Sequence, residues 1–546
     1  MITFFNESTY PNRTQKIAQA VALGGLSVVL SALPAKGAER IQFFYGPFEP
    51  TIQTDDLQHL ADTGEVKGSV EAIANHLNPE QLVTLQSFLS LRFEMSPVMV
   101  SQFTYSDIGE HLLKRAGEVV QTESFLNGDH ALRAALIFAA EDEEGLSIMN
   151  IIDQFPQRTI QINFPLAMDV LNENKHLFQA SNPMLEALHQ RSAAQAIAVS
   201  EWPDPDPRMT GQYDWKVDTF EFQNPARTVS SLAHLYRPII PEASAQSTPV
   251  IVVSHGMASS YQSLIYLATH LAAHGYAVVF PEHPQTTPER FAQMLNGLAM
   301  LPKPSTLVER PRDITAVLDT LDQQAQTRPS WQTLNLESVG VMGQSLGGYT
   351  ALAAAGAEIN RGHLESTCQE DTLAQRPTFN LSVLLQCRFA VIPQSDSLNV
   401  QDLRVKAAIA LNPITSKVFN KAGLSALDRP TLILSSLNDY FVPALPEQIE
   451  PFDWLQNNDA YLITIESGTH FSTLSEAEEG QGALPLPDFL LGPEPLLIQP
   501  PLQAVTLAFF DRYLLQEFEA ETYLNQTYLN TFSTEPFQLN IIRQVD

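Results

Sequence analysis

The chain has 546 residues, with 31 Lys and Arg against 61 Asp and Glu, a formal net charge of −30. At about 150 residues per domain that length divides into two to four domains. The 44% hydrophobic and 17% charged content excludes a disordered, collagenous or coiled-coil chain. A surface this acidic repels phosphate backbones and anionic membranes, so nucleic acid is excluded as a partner class, while neutral esters and lipids stay open.

The first 38 residues have the layout of a signal peptide. Arg13 and Lys16 precede an apolar stretch from Ile17 to Leu33, and Ala35, Gly37 and Ala38 form a small-residue exit. Gly24, Gly25, Ser27 and Ser31 make the stretch a poor permanent membrane span, although an uncleaved anchor is the alternative. Export to a periplasmic, lumenal or external compartment follows. In an oxidising compartment the only two cysteines, Cys368 and Cys387, are expected to pair. Two thiols cannot build a cysteine-rich metal site.

From 39 to 200 the pattern is mainly helical. Leu82, Leu85, Phe88 and Leu89 share a helical face, and Asp129 opens a second helix through Ala139, with Gly145 beyond its end. This part carries no dense group of catalytic residue types, and His111 and His130 read as surface or capping residues. Trp202-Pro203-Asp204-Pro205-Asp206-Pro207 reads as an extended linker, because each residue before proline is held out of the helix region.

Beyond the linker the pattern changes. Val217–Phe222 and Leu232–Tyr236 read as antiparallel strands. Pro249–Val253 is a continuous apolar run, Tyr276–Phe280 repeats it, and Ser338–Met342, Val405–Leu411, Thr431–Ser435 and Tyr461–Ile465 are further strand candidates, with helical stretches between them. Strands without alternation are buried on both faces, so the expectation is α/β: a mostly parallel sheet with helices on both sides.

Gly343-Gln344-Ser345-Leu346-Gly347 lies between the candidate strand Ser338–Met342 and a small-residue helix. Gly-x-Ser-x-Gly in that context is a nucleophile elbow. Glycines two before and two after the serine let the turn tighten without side-chain collision. The helix N-terminus then favours developing negative charge. A serine nucleophile needs a base held by an acid, in the chain order serine, acid, histidine. Asp439 and His470 each follow their own strand. Asp453, in a helical stretch, Asp459, before its strand, and His363, in an insertion, are the weaker candidates. The oxyanion donors are expected to be the N–H groups of Leu346 and of Met257, in Ser254-His255-Gly256-Met257. His255 reads as a loop-shaping residue. His283 is expected to line the substrate pocket or, alternatively, to shape its proline-flanked loop.

These motifs resemble the α/β-hydrolase superfamily, and more closely its group of platelet-activating-factor acetylhydrolases and dienelactone hydrolases. The resemblance rests on Ser254-His255-Gly256, Tyr276–Pro284, Arg310-Pro311-Arg312-Asp313-Ile314 and the elbow, and spans Trp215 to Leu515. The serine departs from the cysteine nucleophile usual in dienelactone hydrolases. Ile41–Gly46 and Ala131–Leu136 resemble the helical domain of unknown function that precedes such hydrolases in cyanobacteria. The resemblance implies an α/β-hydrolase fold over 201–546, export, ester hydrolysis through Ser345, Asp439 and His470, and no metal or organic cofactor. Segments near 286–307 and 357–402 are insertions of the kind that cover a site. The reading is an exported serine ester hydrolase acting on neutral carboxylic or lipid acyl esters. The alternative is a noncatalytic lipid- or partner-binding protein on the same fold.

Overall fold

The computed structural model describes residues 37–546, except 45–48, 94, 144, 179–181, 200, 242–246, 370–379, 394–396, 476–487, 533–535 and 545–546. The targeting segment expected over 1–38 falls outside the described residues but for its last two positions. Ala38 is already packed, its N–H bonded to the Ile152 carbonyl at 3.1 Å. No helix among the described residues is long and apolar enough to cross a membrane. The chain divides into two compact units, one running to Arg92 and resuming at Ala116–Phe164, the other made of Phe93–Arg115 and everything from Pro165 on.

The first unit is not simply helical. It contains strands β1 (Arg40–Phe44) and β2 (Thr51–Gln53) and helices α1 (Thr54–Thr63) and α2 (Pro79–Leu89). The chain then makes an excursion through α3 (Pro97–Thr104) and α4 (Asp107–Val119), most of which belongs to the second unit. It returns through β3 (Val120–Gln121), α5 (Asp129–Ala139) and β4 (Thr159–Asn163). The strands form a four-stranded sheet in the order β2-β1-β4-β3, in which β1 and β4 run parallel. Helix α2 starts as its sequence dictates: Asn78 and Gln81 form a reciprocal capping box, and Pro79 takes the first position, where no N–H is needed. Its expected apolar face is only partly used. Leu89 is buried, Leu82 and Leu85 pack against the unit's core, and Phe88 is 57% exposed.

The second unit begins its main body well before residue 200, where the sequence placed a domain boundary. Helix α6 (Asn182–Gln195) sends Leu188 into the large core, and His189 pairs with Glu466. The proline-rich segment is docked: Trp202 stacks on Tyr523 and meets Tyr528 edge-on, and the Tyr528 hydroxyl donates to Asp206 at 2.7 Å.

The main sheet uses β5 (Trp215–Phe222), β6 (Ser231–Pro238), β7 (Thr248–Ser254), β8 (Ala277–Pro281), β9 (Leu334–Gln344), β10 (Val405–Leu411), β11 (Thr431–Ser436), β12 (Ala460–Ile465) and β13 (Leu539–Arg543). Their order is β13-β12-β11-β10-β9-β7-β8-β6-β5, nine strands with a parallel centre from β12 to β8. The antiparallel pairs lie at the flanks. Along β7 the side chains alternate between two cores. Val250 and Val252 join one, and Ile251 and Val253 join the other. A period of two inside a continuous apolar run is what burial on both faces requires. Helices α7 (Ile265–Ala273) and α13 (Gln499–Tyr513) cover one face. Helices α9 (Thr306–Ala325) and α10 (Leu346–Ala355) cover the other.

Both insertions hold structure. The first contains α8 (Pro288–Leu295), capped by the Thr287 hydroxyl. The second contains α11 (Arg361–Thr367) and α12 (Leu381–Arg388), joined by the Cys368–Cys387 disulfide with Cα atoms 5.2 Å apart. Gln386 of α12 donates to the buried carboxylate of Glu447 at 3.0 and 3.1 Å. The excursion packs onto both insertions. Helix α3 lies against α8, and Asp107 of α4 pairs with Arg388 at 2.7 Å.

Candidate active site

Ser345 lies between the end of β9 and the start of α10, at the N-cap position, with φ 58° and ψ −120°, a left-handed conformation rare for any residue with a side chain. The flanking glycines explain how the turn holds this strain. A Cβ on Gly343 would stand 2.3 Å from the Gly347 carbonyl oxygen, and one on Gly347 would stand 2.0 Å from that of Ser254. No side chain fits at either place. The elbow is thus pressed against the end of β7, and Ser345 N–H is tied to the Leu411 carbonyl at 2.8 Å.

Asp439 follows β11 and is 1% exposed. One carboxylate oxygen accepts from the N–H groups of Phe441 and Val442, at 2.9 and 2.8 Å. The other accepts from His470 Nδ1 at 2.6 Å. With Nδ1 carrying the proton, Nε2 presents its lone pair, as a general base must. The two loops are also stitched together, since Asn438 N–H donates to the Gly468 carbonyl at 2.9 Å. Phe441 and Phe471 flank the imidazole, with ring centroids 5.7 and 5.6 Å away. The rival acids are engaged elsewhere: Asp453 pairs with Arg191, and Asp459 with Arg543 and Tyr513. His363 lies in α11 of the second insertion.

The serine and the histidine are not directly hydrogen-bonded. Gln344, the residue before the serine, is bonded to the histidine instead: its amide nitrogen donates to His470 Nε2 at 3.2 Å and to the His470 carbonyl at 3.1 Å. Its amide oxygen occupies the space beside Gly256, 2.5 Å from where a Cβ would be. Such contacts commonly tighten or exchange only when substrate is present. The sequence reading passed over Gln344. Its place inside the motif, next to the nucleophile, was the available signal.

Leu346 is the first residue of α10, so its N–H is one of the donors that a helix start leaves without an intrahelical partner. Met257 lies in the turn after β7, its side chain half-buried against the core. His255 is buried and shapes that turn: Nδ1 donates to the Gly256 carbonyl at 2.8 Å, and Nε2 accepts from His283 N–H at 3.2 Å. Burial first, then the charge of Arg310, pushes its imidazole down to about 3, so it stays neutral.

His283 does not line a pocket. It is fully buried, with Nδ1 on Asp313 at 2.7 Å and Nε2 on Ser254 Oγ at 2.9 Å. Neither ring nitrogen is left for a substrate, so the loop-shaping alternative describes it. Burial and the nearby Arg310 hold its pKa well below the usual imidazole value. Asp313 also accepts from Asn224 at 2.7 Å and faces Arg227 at 2.8 Å. This buried polar group was not foreseen. Its trace in the sequence is Arg310 and Asp313 on the same face of α9 as the buried Leu307, Ile314, Val317 and Leu321.

No group of three or more His, Cys, Asp or Glu among the described residues could hold a metal ion. The mixed sheet with its parallel centre, helices on both faces and an elbow after β9 is consistent with an α/β-hydrolase fold. Over residues 37–163 the chain also matches a family described as alpha/beta hydrolase of unknown function (DUF1400). The matched stretch is the first unit plus the excursion, not the sheet that bears the elbow. No curated protein matches the chain.

Proposed function

We propose that the protein is a serine ester hydrolase. The observation that carries this reading is the Asp439–His470 hydrogen bond of 2.6 Å beside an elbow serine at positive φ. Ser345 Oγ attacks the acyl carbonyl carbon while its proton passes to His470 Nε2, for which the Gln344 amide gives up its hydrogen bond. Asp439 holds the ring and offsets the charge of the imidazolium. The N–H groups of Leu346 and Met257 take the oxyanion. His470 then protonates the leaving alkoxide as the carbon–oxygen bond breaks. Water attacks the acyl-enzyme, gives its proton to His470, and the serine regains one.

The favoured substrates are neutral carboxylic esters, lipid acyl esters among them, and the net charge of −30 agrees with an uncharged substrate. The disulfide supports an exported setting. A fluorophosphonate probe on the whole chain is the test: one label on Ser345, blocked by Ser345→Ala, is expected. An unlabelled wild type that cleaves no nitrophenyl ester from acetyl to decanoyl would favour the binding-protein alternative.

A further inference from the structure

The buried polar group behind the site has a geometry that packing alone does not require. Arg310 is 0% exposed, and each arm of its guanidinium has a partner. Nε donates to Thr350 Oγ1 at 3.2 Å, on α10. Nη1 donates to the Thr286 hydroxyl. Nη2 donates to the His255 carbonyl and, at 3.2 Å, to Ser254 Oγ. Ser254 Oγ is also bonded to His283, and His283 to Asp313, one turn after Arg310. A path of side-chain hydrogen bonds thus runs from Arg310 through Ser254, at the end of the strand that leads to Met257, and His283 to Asp313, and the backbone of α9 closes it.

Pro311 adds a second fastening. It lies inside α9 and has no N–H, which frees the Leu307 carbonyl four residues earlier. That carbonyl accepts instead from the Tyr349 hydroxyl at 2.9 Å, and Tyr349 is on α10. Arg310 and Pro311 therefore both fasten α9 to the helix that starts at Leu346. Arg310 alone continues to the loop that carries Met257. Thr350 in turn donates to the Leu346 carbonyl at 2.7 Å, so the fastening ends on the residue that supplies the first oxyanion donor.

We infer that Arg310 is a positioning residue that sets the separation of the Leu346 and Met257 N–H groups, one guanidinium bridging the two backbone segments of the oxyanion hole. The inference rests on the serine-hydrolase reading. Donors aimed at a developing charge act only when fixed in advance, and a displacement of about 1 Å can cost roughly a hundredfold in rate. A buried guanidinium is costly to desolvate, and an apolar side chain of similar volume would pack as well. Fixed geometry between two loops is what the apolar side chain could not supply.

The test uses the full chain and three variants: Arg310→Lys, Thr350→Val and Ser254→Ala. Active sites are titrated with the fluorophosphonate, and kcat is expressed per titrated site. Affinity for an alkyl trifluoromethyl ketone, which forms a tetrahedral oxyanion on the serine, is measured in parallel. Arg310→Lys should lower kcat per site by about a hundredfold and the two milder variants by about tenfold, with KM changed less than about threefold. Ketone affinity should fall in step with kcat/KM. A merely structural role would reduce the number of titratable sites and leave kcat per site unchanged, and that result overturns the inference. If Arg310→Lys does not fold, the other two decide by the same criterion. A wild type that takes no label sinks the hydrolase reading and this inference with it. A labelled wild type beside variants of normal kcat sinks this inference alone.

Discussion

The four-stranded and the nine-stranded sheets of this protein are built on opposite principles. In the parallel centre of the large sheet the strands have five or more residues and are buried throughout or nearly so, β9 from Val339 on, and β7 and β8 are carried by continuous apolar runs. The small sheet joins strands of two to five residues, and its parallel pair bonds Arg40 to Thr159 across 119 positions of sequence. The contrast teaches where specification resides. A strand buried on both faces carries its own signal, whereas a short half-exposed strand is defined by partners that are remote in the chain.

The widest expected gap between the regions is in chemistry. Ser345→Ala should lower esterase kcat by about a millionfold, because nucleophile and base act as a unit, while circular dichroism stays native. Asp439→Asn should cost about ten-thousandfold by favouring the wrong imidazole tautomer. Near-normal turnover in Asp439→Asn would reassign the acid, with Asp453 the first rival in the same unit.

Core substitutions sharpen the comparison. Leu462 on β12 and Leu60 on α1 are both 0% exposed. Each change to Ala should cost about 2–5 kcal/mol in denaturant unfolding. A much smaller loss for Leu60 would mean that the first unit lacks a firm core of its own. The disulfide ranks next. Replacing both Cys368 and Cys387 by Ser opens a loop of sequence separation 19. Roughly 3 kcal/mol of stability should go with it, read from the shift of the urea midpoint. No shift would mean that Gln386 on Glu447 suffices to hold α12.

Acid titration should separate the two regions further. His255 and His270, both in the large unit, are pushed down to about 3 and about 4, chiefly by burial. Below pH 6.5 the unfolded chain binds protons that the native chain refuses, so the contribution of neutral histidine is lost as pH falls. Each should remove about 1.4 kcal/mol per pH unit until its native value is reached. His255→Asn should flatten the slope by one such increment, and an unchanged slope would reject the assignment. The smallest effect is at Phe88, exposed on α2. Phe88→Ala should move stability by no more than about 0.5 kcal/mol.

Legibility followed the same division. The strands from Val250 to Ile465, the elbow, and the succession of Ser345, Asp439 and His470 could be read because each signal is local: an apolar run, a glycine spacing, an acid or base just past a strand. The small sheet escaped because two-residue strands such as Val120-Gln121 have no periodicity. His283 was misjudged because a histidine after a strand reads alike whether it faces a cleft or a buried carboxylate. The partners that decide, Asp313 and Ser254, lie 30 and 29 positions away. The true extent of the large unit was hidden for the same reason, since nothing in Pro97–Tyr105 signals that it packs with segments some 200 residues later.

That excursion has a consequence for synthesis on the ribosome. Asp107 emerges 281 residues before the Arg388 it pairs with. At about 5–20 residues per second, the wait is roughly a quarter of a minute to a minute. By residue 164 every strand of the small sheet has been made, so that unit can form at once, with α3 and most of α4 looped out and still without a seat. Vectorial folding here proceeds around a postponed piece, and a nascent chain halted between residues 164 and 288 should show that piece as its most protease-sensitive stretch.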